Sequence, residues 1–349
     1  MRRLALLLAL SAVGAGLIAA AALAARTDHA PCPARGTVWA VERFDTGPNT
    51  LAAFDAATGD VEGVVTIGKR PIGVVAPRHT GKVYTADERS NQLTVVSKRD
   101  FSIVTHIPMG AFPHHMMAAR DGRRIYVGEY GTNKIGVVDT ATDTLVAEYT
   151  ASDDPAAHTH AVWVTHDDLY ATNEGATTSA AGTLSKLDAR TGVKEWEVPI
   201  GLRPSEVLVD GDTAYVTIRN ENKVKVLDLR GALPSLVAEV PIGGMPDTMQ
   251  LTRDGKTLVV GLRAIPQMAL LDTRTLSVRP VTFMGYGISG HQSLSPNGRL
   301  TYIALESAVT SRPGAIGVVD NRSGDVIDTW EYPGGPWPHG VYFDRQVLR

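Results

Sequence analysis

The chain contains almost no cysteine. Cys32 is the only cysteine in 349 residues, so an intrachain disulfide, a cysteine-based zinc site and a Cys-x-x-Cys redox pair are all excluded. Cys32 follows His29, Ala30 and Pro31, which differ from the small apolar residues that precede a lipid-modified cysteine. Stability must therefore come from packing and strand pairing.

The sequence also lacks an excess of either charge. It has 34 basic and 37 acidic residues, a formal net charge of -3, and no block of Lys and Arg beyond the N-terminus. Nucleic acid binding depends on a concentrated basic surface that neutralises phosphates. The composition therefore argues against a nucleic acid partner.

Long apolar runs are missing after residue 25, whereas the first 25 residues are almost entirely apolar. Arg2 and Arg3 precede this run, and small residues at its end offer a cleavage point, which is typical of an export signal. We predict a signal peptide at 1–25, a linker at 26–35, a propeller domain at 36–349 and an extracytoplasmic location. The run is also close to the ~20 residues of a membrane-spanning helix, so an uncleaved anchor is the alternative, and it would then be the only membrane contact.

An internal repeat fills the rest of the chain. A turn glycine, or in one unit an Asp pair, precedes an aromatic or apolar strand residue seven times, and successive members lie 42–45 residues apart. These strand residues are Trp39, Tyr84, Tyr126, Tyr170, Tyr215, Val259 and Tyr302. A period of this length is the sequence signature of a propeller or another repeat architecture.

Each unit reads as four short strands separated by turn residues. The fold class predicted is all-β, a seven-bladed β-propeller of four-stranded blades. The first unit begins at Gly36 with a second strand, while the C-terminal segment 338–343 supplies a lone first strand. We therefore expect the C-terminal strand to join the N-terminal blade and close the ring, which protects two free edges.

Two segments, GRRIYVGEYGTNKIGVVDTATDTLVAEYTAS at 122–152 and GDTAYVTIRNENKVKVLD at 211–228, carry a family resemblance. The sequence resembles the YVTN-repeat propellers, the YncE-like proteins of bacterial envelopes, over residues 36 to 343. The consensus tetrapeptide is nearest at Tyr170-Ala171-Thr172-Asn173. The resemblance implies the fold and an envelope location, and it implies binding modules more directly than any one activity.

Histidines are concentrated where the first strand of each blade would enter the central channel. Five of the ten histidines fall at two aligned positions of these strands, and acidic residues or arginines fall at the ends of the second strands. The predicted funnel contains His114, His115, His160, His291, His339, Glu129, Glu174, Glu306, Arg219 and Arg263.

Three uses of this funnel remain open. Imidazoles delivered from different blades could bind copper or zinc, and the expected metal ligands are His114, His160 and His339. A His beside a Glu, with Arg219 or Arg263 opposite, could instead perform acid–base chemistry on a small molecule, as in a lactonase-like, lyase-like or oxidoreductase site. The third use is binding of a ligand, or of another envelope protein, without turnover.

We expect an exported propeller that binds a small ligand or a metal ion in the funnel on its top face. The alternative is a metal-assisted or His/Glu acid–base enzyme that acts on a small molecule. Each histidine alone could be an ordinary polar loop residue. The metal hypothesis requires the ring positions of His114, His160 and His339 to meet, because imidazole ligands bind metals at ~2 Å.

Overall fold

The computed structural model describes residues 34–45 and 49–345, which form seven four-stranded antiparallel sheets. This confirms the predicted seven-bladed propeller. The predicted signal peptide at 1–25, and the linker as far as residue 33, lie outside the described residues. In the part of the chain that the structure describes, no helix has the length and apolar character needed to cross a bilayer.

Six blades each take four consecutive strands, and blade 1 combines the last strand with the first three. Blade 1 contains β1 Thr37–Glu42, β2 Asn49–Asp55, β3 Val61–Ile67 and β28 Pro338–Asp344. Blades 2 to 4 contain β4 Pro71–Val75, β5 Lys82–Asp87, β6 Gln92–Ser97, β7 Ile103–Pro108; β8 Pro113–Ala118, β9 Arg124–Glu129, β10 Lys134–Asp139, β11 Thr144–Thr150; β12 His158–Val164, β13 Asp168–Glu174, β14 Ala181–Asp188, β15 Lys194–Leu202. Blades 5 to 7 contain β16 Pro204–Asp210, β17 Thr213–Ile218, β18 Lys223–Asp228, β19 Ser235–Pro241; β20 Pro246–Leu251, β21 Thr257–Leu262, β22 Gln267–Asp272, β23 Val278–Thr282; β24 Tyr286–Leu294, β25 Leu300–Ser307, β26 Ala315–Asp320, β27 Asp325–Glu331. Two short 3-10 turns, Glu88–Ser90 and Arg219–Glu221, follow β5 and β17.

The ring is closed as predicted, by β28 pairing antiparallel with β1. Thr37 lies opposite Asp344, and Trp39 opposite Tyr342. Non-covalent closure of this kind pairs two strand edges that would otherwise be open.

The core lies between neighbouring blades. The aromatic residue that marks the sequence repeat is buried in every blade that has one: Trp39, Tyr84, Tyr126, Tyr170, Tyr215 and Tyr302. Each belongs to a cluster of Val, Leu, Ile and Ala side chains from strands of adjacent sheets. Burial of apolar area between sheets is therefore the main stabilising term.

The third and fourth strands of several blades are joined by the same turn. An Asp carboxylate accepts hydrogen bonds from the N–H groups two and three residues later, which is an Asx-type turn. This occurs at Asp55, Asp139, Asp188 and Asp272.

The first strand of each blade lines the central channel, and its pairing with the second strand is irregular near its start. The register shifts lie between Pro71 and Val74, Pro113 and Met116, Thr159 and Ala161, Pro204 and Val207, Pro246 and Met249, and Ser289 and Gln292. Such bulges re-aim side chains relative to the regular alternation of a strand. The predicted histidine positions of β8, β12 and β24 fall inside these shifts.

Candidate functional site

The five predicted histidines form a continuous layer across the centre of the propeller. His114 lies 4.5 Å from His160 and 4.8 Å from His115, measured between ring centroids. His115 lies 4.5 Å from His291, which in turn lies 4.3 Å from His339. Four blades thus deliver their imidazoles to one place.

His114 and His115 are consecutive, yet their rings stack at an interplanar angle of 14°. In a regular strand, successive side chains point to opposite faces. The register shift in β8 lets both side chains reach the channel. The strand irregularity therefore builds the densest part of the layer.

Burial keeps these imidazoles neutral. Desolvation lowers the pKa of His114, His160, His291 and His339 well below the usual value. It also lowers the pKa of His115, to about 4. Neutral imidazole can donate through one ring nitrogen and accept a proton or coordinate a metal through the other.

Above the histidine layer lies a cavity of about 260 Å³. Its walls carry many charged side chains, chiefly arginines, and His114, His160, His291 and His339 belong to its lining. The other lining residues are Arg43, Arg70, Ile72, Glu88, Arg89, Phe112, Tyr130, Arg203, Arg219, Asp247 and Arg263.

Arg219 is the centre of one wall. Its guanidinium bonds the Glu174 carboxylate at 3.3 Å and the Asp247 carboxylate at 2.6 Å. It also donates to His160 Nε2 at 2.7 Å and to Ser205 Oγ at 2.8 Å. A buried charge is tolerated when it is paired and hydrogen-bonded in this way.

The opposite wall is less completely neutralised. Arg43 lies 3.5 Å from the Glu306 carboxylate, and Arg263 lies 3.9 Å from that of Asp247. Glu306 also contacts His339 Nδ1 at 3.1 Å, and Arg263 contacts the His339 ring at 3.3 Å. Burial is the main cause that lowers the pKa of Arg43 to about 10, and the positive charge of the nearby Arg263 is the second.

The predicted residue Glu129 does not face this cavity. Its carboxylate instead accepts hydrogen bonds from the Gly110 N–H and the Thr132 hydroxyl. The residue after it, Tyr130, lines the cavity and donates to Glu174 at 3.0 Å.

The error is one of alignment. The position that lines the cavity lies four residues after the repeat aromatic, as Arg219 does after Tyr215. Glu129 lies only three residues after Tyr126, so it is one residue short of the position that lines the cavity. Applying the same count to blade 1 leads to Arg43, which sequence reasoning missed. Of the other residues named from the sequence, Arg219 and Arg263 line the cavity, and Glu174 and Glu306 are bonded to the lining residues Arg219 and Arg43.

The rim holds further residues that the sequence analysis overlooked. Arg70, Phe112 and Arg203 immediately precede the prolines that start β4, β8 and β16, and each has a positive φ of 49–58°. Non-glycine residues at positive φ are uncommon and are often found at functional sites. The sequence signal that could have identified these residues is the proline that follows each of them where the chain enters a blade.

Below the histidine layer lies a second chamber of about 220 Å³. His115 and His291 form part of its lining, together with Glu206, Thr248 and Gln292. Desolvation raises the pKa of Glu206 to about 8, so its carboxyl group is protonated at neutral pH. The Met249 N–H donates to this carboxyl group.

The raised pKa of Glu206 predicts a specific pH effect on stability. The stability that the protonated Glu206 carboxyl group allows is fully present at pH values below the ordinary carboxyl pKa. It is lost as the pH rises through about 8, where the buried group must ionise. Glu206→Gln stays neutral and should be more stable than the unmodified chain at pH 9 by ~1–3 kcal/mol, with little difference at pH 4.5. Urea unfolding at both pH values measures this, with the surface change Glu148→Gln as control. A loss of stability at pH 9 would contradict the prediction.

No family model and no curated protein sequence matches this chain. Solved structures do match. The hydrazine synthase of Kuenenia stuttgartiensis gives a TM-score of 0.65 at 18% identity, over 82% of this chain and 90% of that one. The periplasmic gluconolactonase PpgL of Pseudomonas aeruginosa gives 0.64 at 17%, over 88% and 99%. The dihydro-heme d1 dehydrogenase NirN gives 0.62 at 17%, over 91% and 76%.

These similarities establish the propeller fold. At such low identity they do not transfer an activity, because one fold supports many unrelated functions.

Proposed function

We propose that this protein is an exported YVTN-type propeller that binds a small organic anion in the upper cavity. The observation that supports this most strongly is the pair formed by Arg43 and Arg263. Both guanidiniums lie in the cavity wall, and each is 3.5 Å or more from its nearest carboxylate partner.

The arginines of the cavity differ in how completely they are paired with carboxylates. Arg203 and Arg219 share the buried Glu174, and Arg70 bonds Asp45 and Glu88. For Arg43 and Arg263, by contrast, burial first and then the repulsion between the two guanidiniums lower the pKa of Arg43. An anion between them would relieve that repulsion, and arginine suits carboxylates because it can bond both oxygens.

The size and floor of the cavity limit the ligand. A volume of about 260 Å³ lies below the ~300–1,000 Å³ of sites for drug-sized molecules. The floor is formed by neutral imidazoles, which can hydrogen-bond hydroxyl or carbonyl groups. The best match is a short organic acid that also carries such groups.

Removing Arg263 should weaken this binding. We expect Arg263→Gln to reduce the affinity for the tightest of a panel of short mono- and dicarboxylates by about 10–100-fold. The lost charge-assisted hydrogen bond is worth ~1.5–3 kcal/mol. Calorimetric titration at low ionic strength measures the change, and salt should weaken binding to the unmodified chain.

Arg99→Gln is the matched control, because the Arg99 side chain is exposed on the blade 2 surface and pairs with the adjacent Asp100. It should bind the same acids with unchanged affinity. Equal affinities of the Arg263 and Arg99 variants, or the absence of binding by every acid in the panel, would contradict the proposal.

An acid–base enzyme is the second candidate, and the His339–Glu306 pair favours it. A carboxylate that accepts a hydrogen bond from Nδ1 orients an imidazole so that Nε2 can remove a proton. The contact of 3.1 Å between His339 Nδ1 and Glu306 has this form, and Arg263, which lies 3.3 Å from Nε2, would have to release that nitrogen to the substrate. If the bound acid is turned over, His339→Gln should abolish turnover while the acid still binds. If the variant loses binding and turnover to the same extent, the result would contradict a role of His339 as the base and favour a binding protein.

A further inference from the structure

We propose that His114, His115 and His160 form a transition-metal site in the histidine layer between the upper cavity and the lower chamber, specific for a metal of the zinc and copper class. Each offers one ring nitrogen, and these nitrogens lie within 4.8 Å of one another. This goes beyond anion binding and does not depend on it.

Unpartnered nitrogens point to the same place. His114 Nδ1, His115 Nε2 and His291 Nε2 are buried and have no hydrogen-bond partner among the described residues. The residues His115 and His291 are only 7% and 8% exposed. Buried polar atoms are nearly always satisfied in native proteins, so three such nitrogens in one layer indicate a ligand that accepts their lone pairs.

His160 is already oriented as metal-binding imidazoles usually are. Its Nδ1 lies 2.8 Å from the carbonyl oxygen of Ser205 and donates to it, which leaves the Nε2 lone pair available. Arg219 occupies that lone pair in this structure. A metal would displace this one contact, and Arg219 would keep Glu174 and Asp247.

The ligand set selects the metal. Neutral imidazoles without carboxylate or thiolate suit zinc and copper, whereas calcium and magnesium require oxygen ligands. Tetrahedral zinc at 2.0–2.1 Å needs nitrogens about 3.3 Å apart, so the three rings must move closer on binding. His291 is a candidate for a fourth ligand, because its ring lies 4.5 Å from that of His115 and its Nε2 has no hydrogen-bond partner among the described residues.

The set differs from the one predicted from the sequence in one member. His115 stands where His339 was expected, because the bulge in β8 turns both of its histidines into the channel. His339 instead contacts Glu306 and Arg263. This difference makes the two sets separable by experiment.

The test uses the chain without a polyhistidine tag. Zn²⁺ and Cu²⁺ affinities are measured by competition with a chromogenic chelator, and Co²⁺ is added to read the coordination geometry from its visible spectrum. We expect one metal per chain and tetrahedral cobalt bands. His115→Ala and His160→Ala should each weaken binding at least ~100-fold, beyond the 10–100-fold typical of outer-shell changes.

His339→Ala and the exposed-site control His166→Ala should change the affinity less than about 10-fold. Thermal melts of every variant show whether it is folded, and His115→Gln repeats the test if the alanine variant unfolds. Absence of stoichiometric metal, or loss of binding in His339→Ala but not in His115→Ala, would overturn this site. Arg263→Gln separates the two proposals, since it should impair the anion and spare the metal.

Discussion

Removing residues 338–349 should destabilise the whole propeller by more than about 5 kcal/mol. The deletion takes away β28, exposes the edge of β1 and removes Val341 and Phe343 from the core of blades 1 and 7. Burial of each of these side chains is worth ~1.5–3 kcal/mol, and the lost strand pairing adds to that. A total near the usual 5–15 kcal/mol of domain stability leaves little folded protein.

A chain ending at Arg345 is the control, since it keeps β28 complete. Thermal melting followed by circular dichroism compares the two truncations. We expect the control to melt at the same temperature as the full chain. The longer deletion should show no cooperative transition near that temperature. A shift of only a few degrees in the longer deletion would contradict the closure argument.

Replacing Arg219 with Met should cost about 3–5 kcal/mol. The change leaves two buried carboxylates, Glu174 and Asp247, without the guanidinium that joins them. The Arg219 guanidinium is the first cause that lowers the pKa of Asp247 well below its ordinary value, against the opposing effect of burial. Without Arg219, burial dominates and the charged form of Asp247 becomes unfavourable.

The double variant Arg219→Met with Asp247→Asn tests this cause. Removing both partners of a buried pair is far less costly than removing one. We therefore expect the double variant to recover at least half of the stability lost by the single variant in urea unfolding at pH 7. If the two losses simply add, the pair is not what stabilises this wall.

The blade architecture could be predicted from the sequence because it depends on repeated local signals. Trp39, Tyr84 and Tyr302 recur at a constant spacing, and each is fully buried between blades. The lone C-terminal strand likewise indicated the closure. A repeated signal averages out the ambiguity of any single strand.

The site could be predicted only in part, because it depends on departures from regular geometry. A period of two places His114 and His115 on opposite faces, whereas the β8 bulge places both in the channel. An alignment of the second-strand ends that is off by one residue selected Glu129 in place of Tyr130, and the same offset passed over Arg43. The pairing of Arg219 with two carboxylates from other blades has no local sequence signature.

The most direct test of the central claim is a crystal structure with the tightest-binding carboxylate of the panel in brominated form. The account predicts an anomalous bromine peak inside the upper cavity, with the carboxylate between Arg43 and Arg263. Bromine found only on the outer surface or in the lower chamber, with the upper cavity free of ligand, would contradict it.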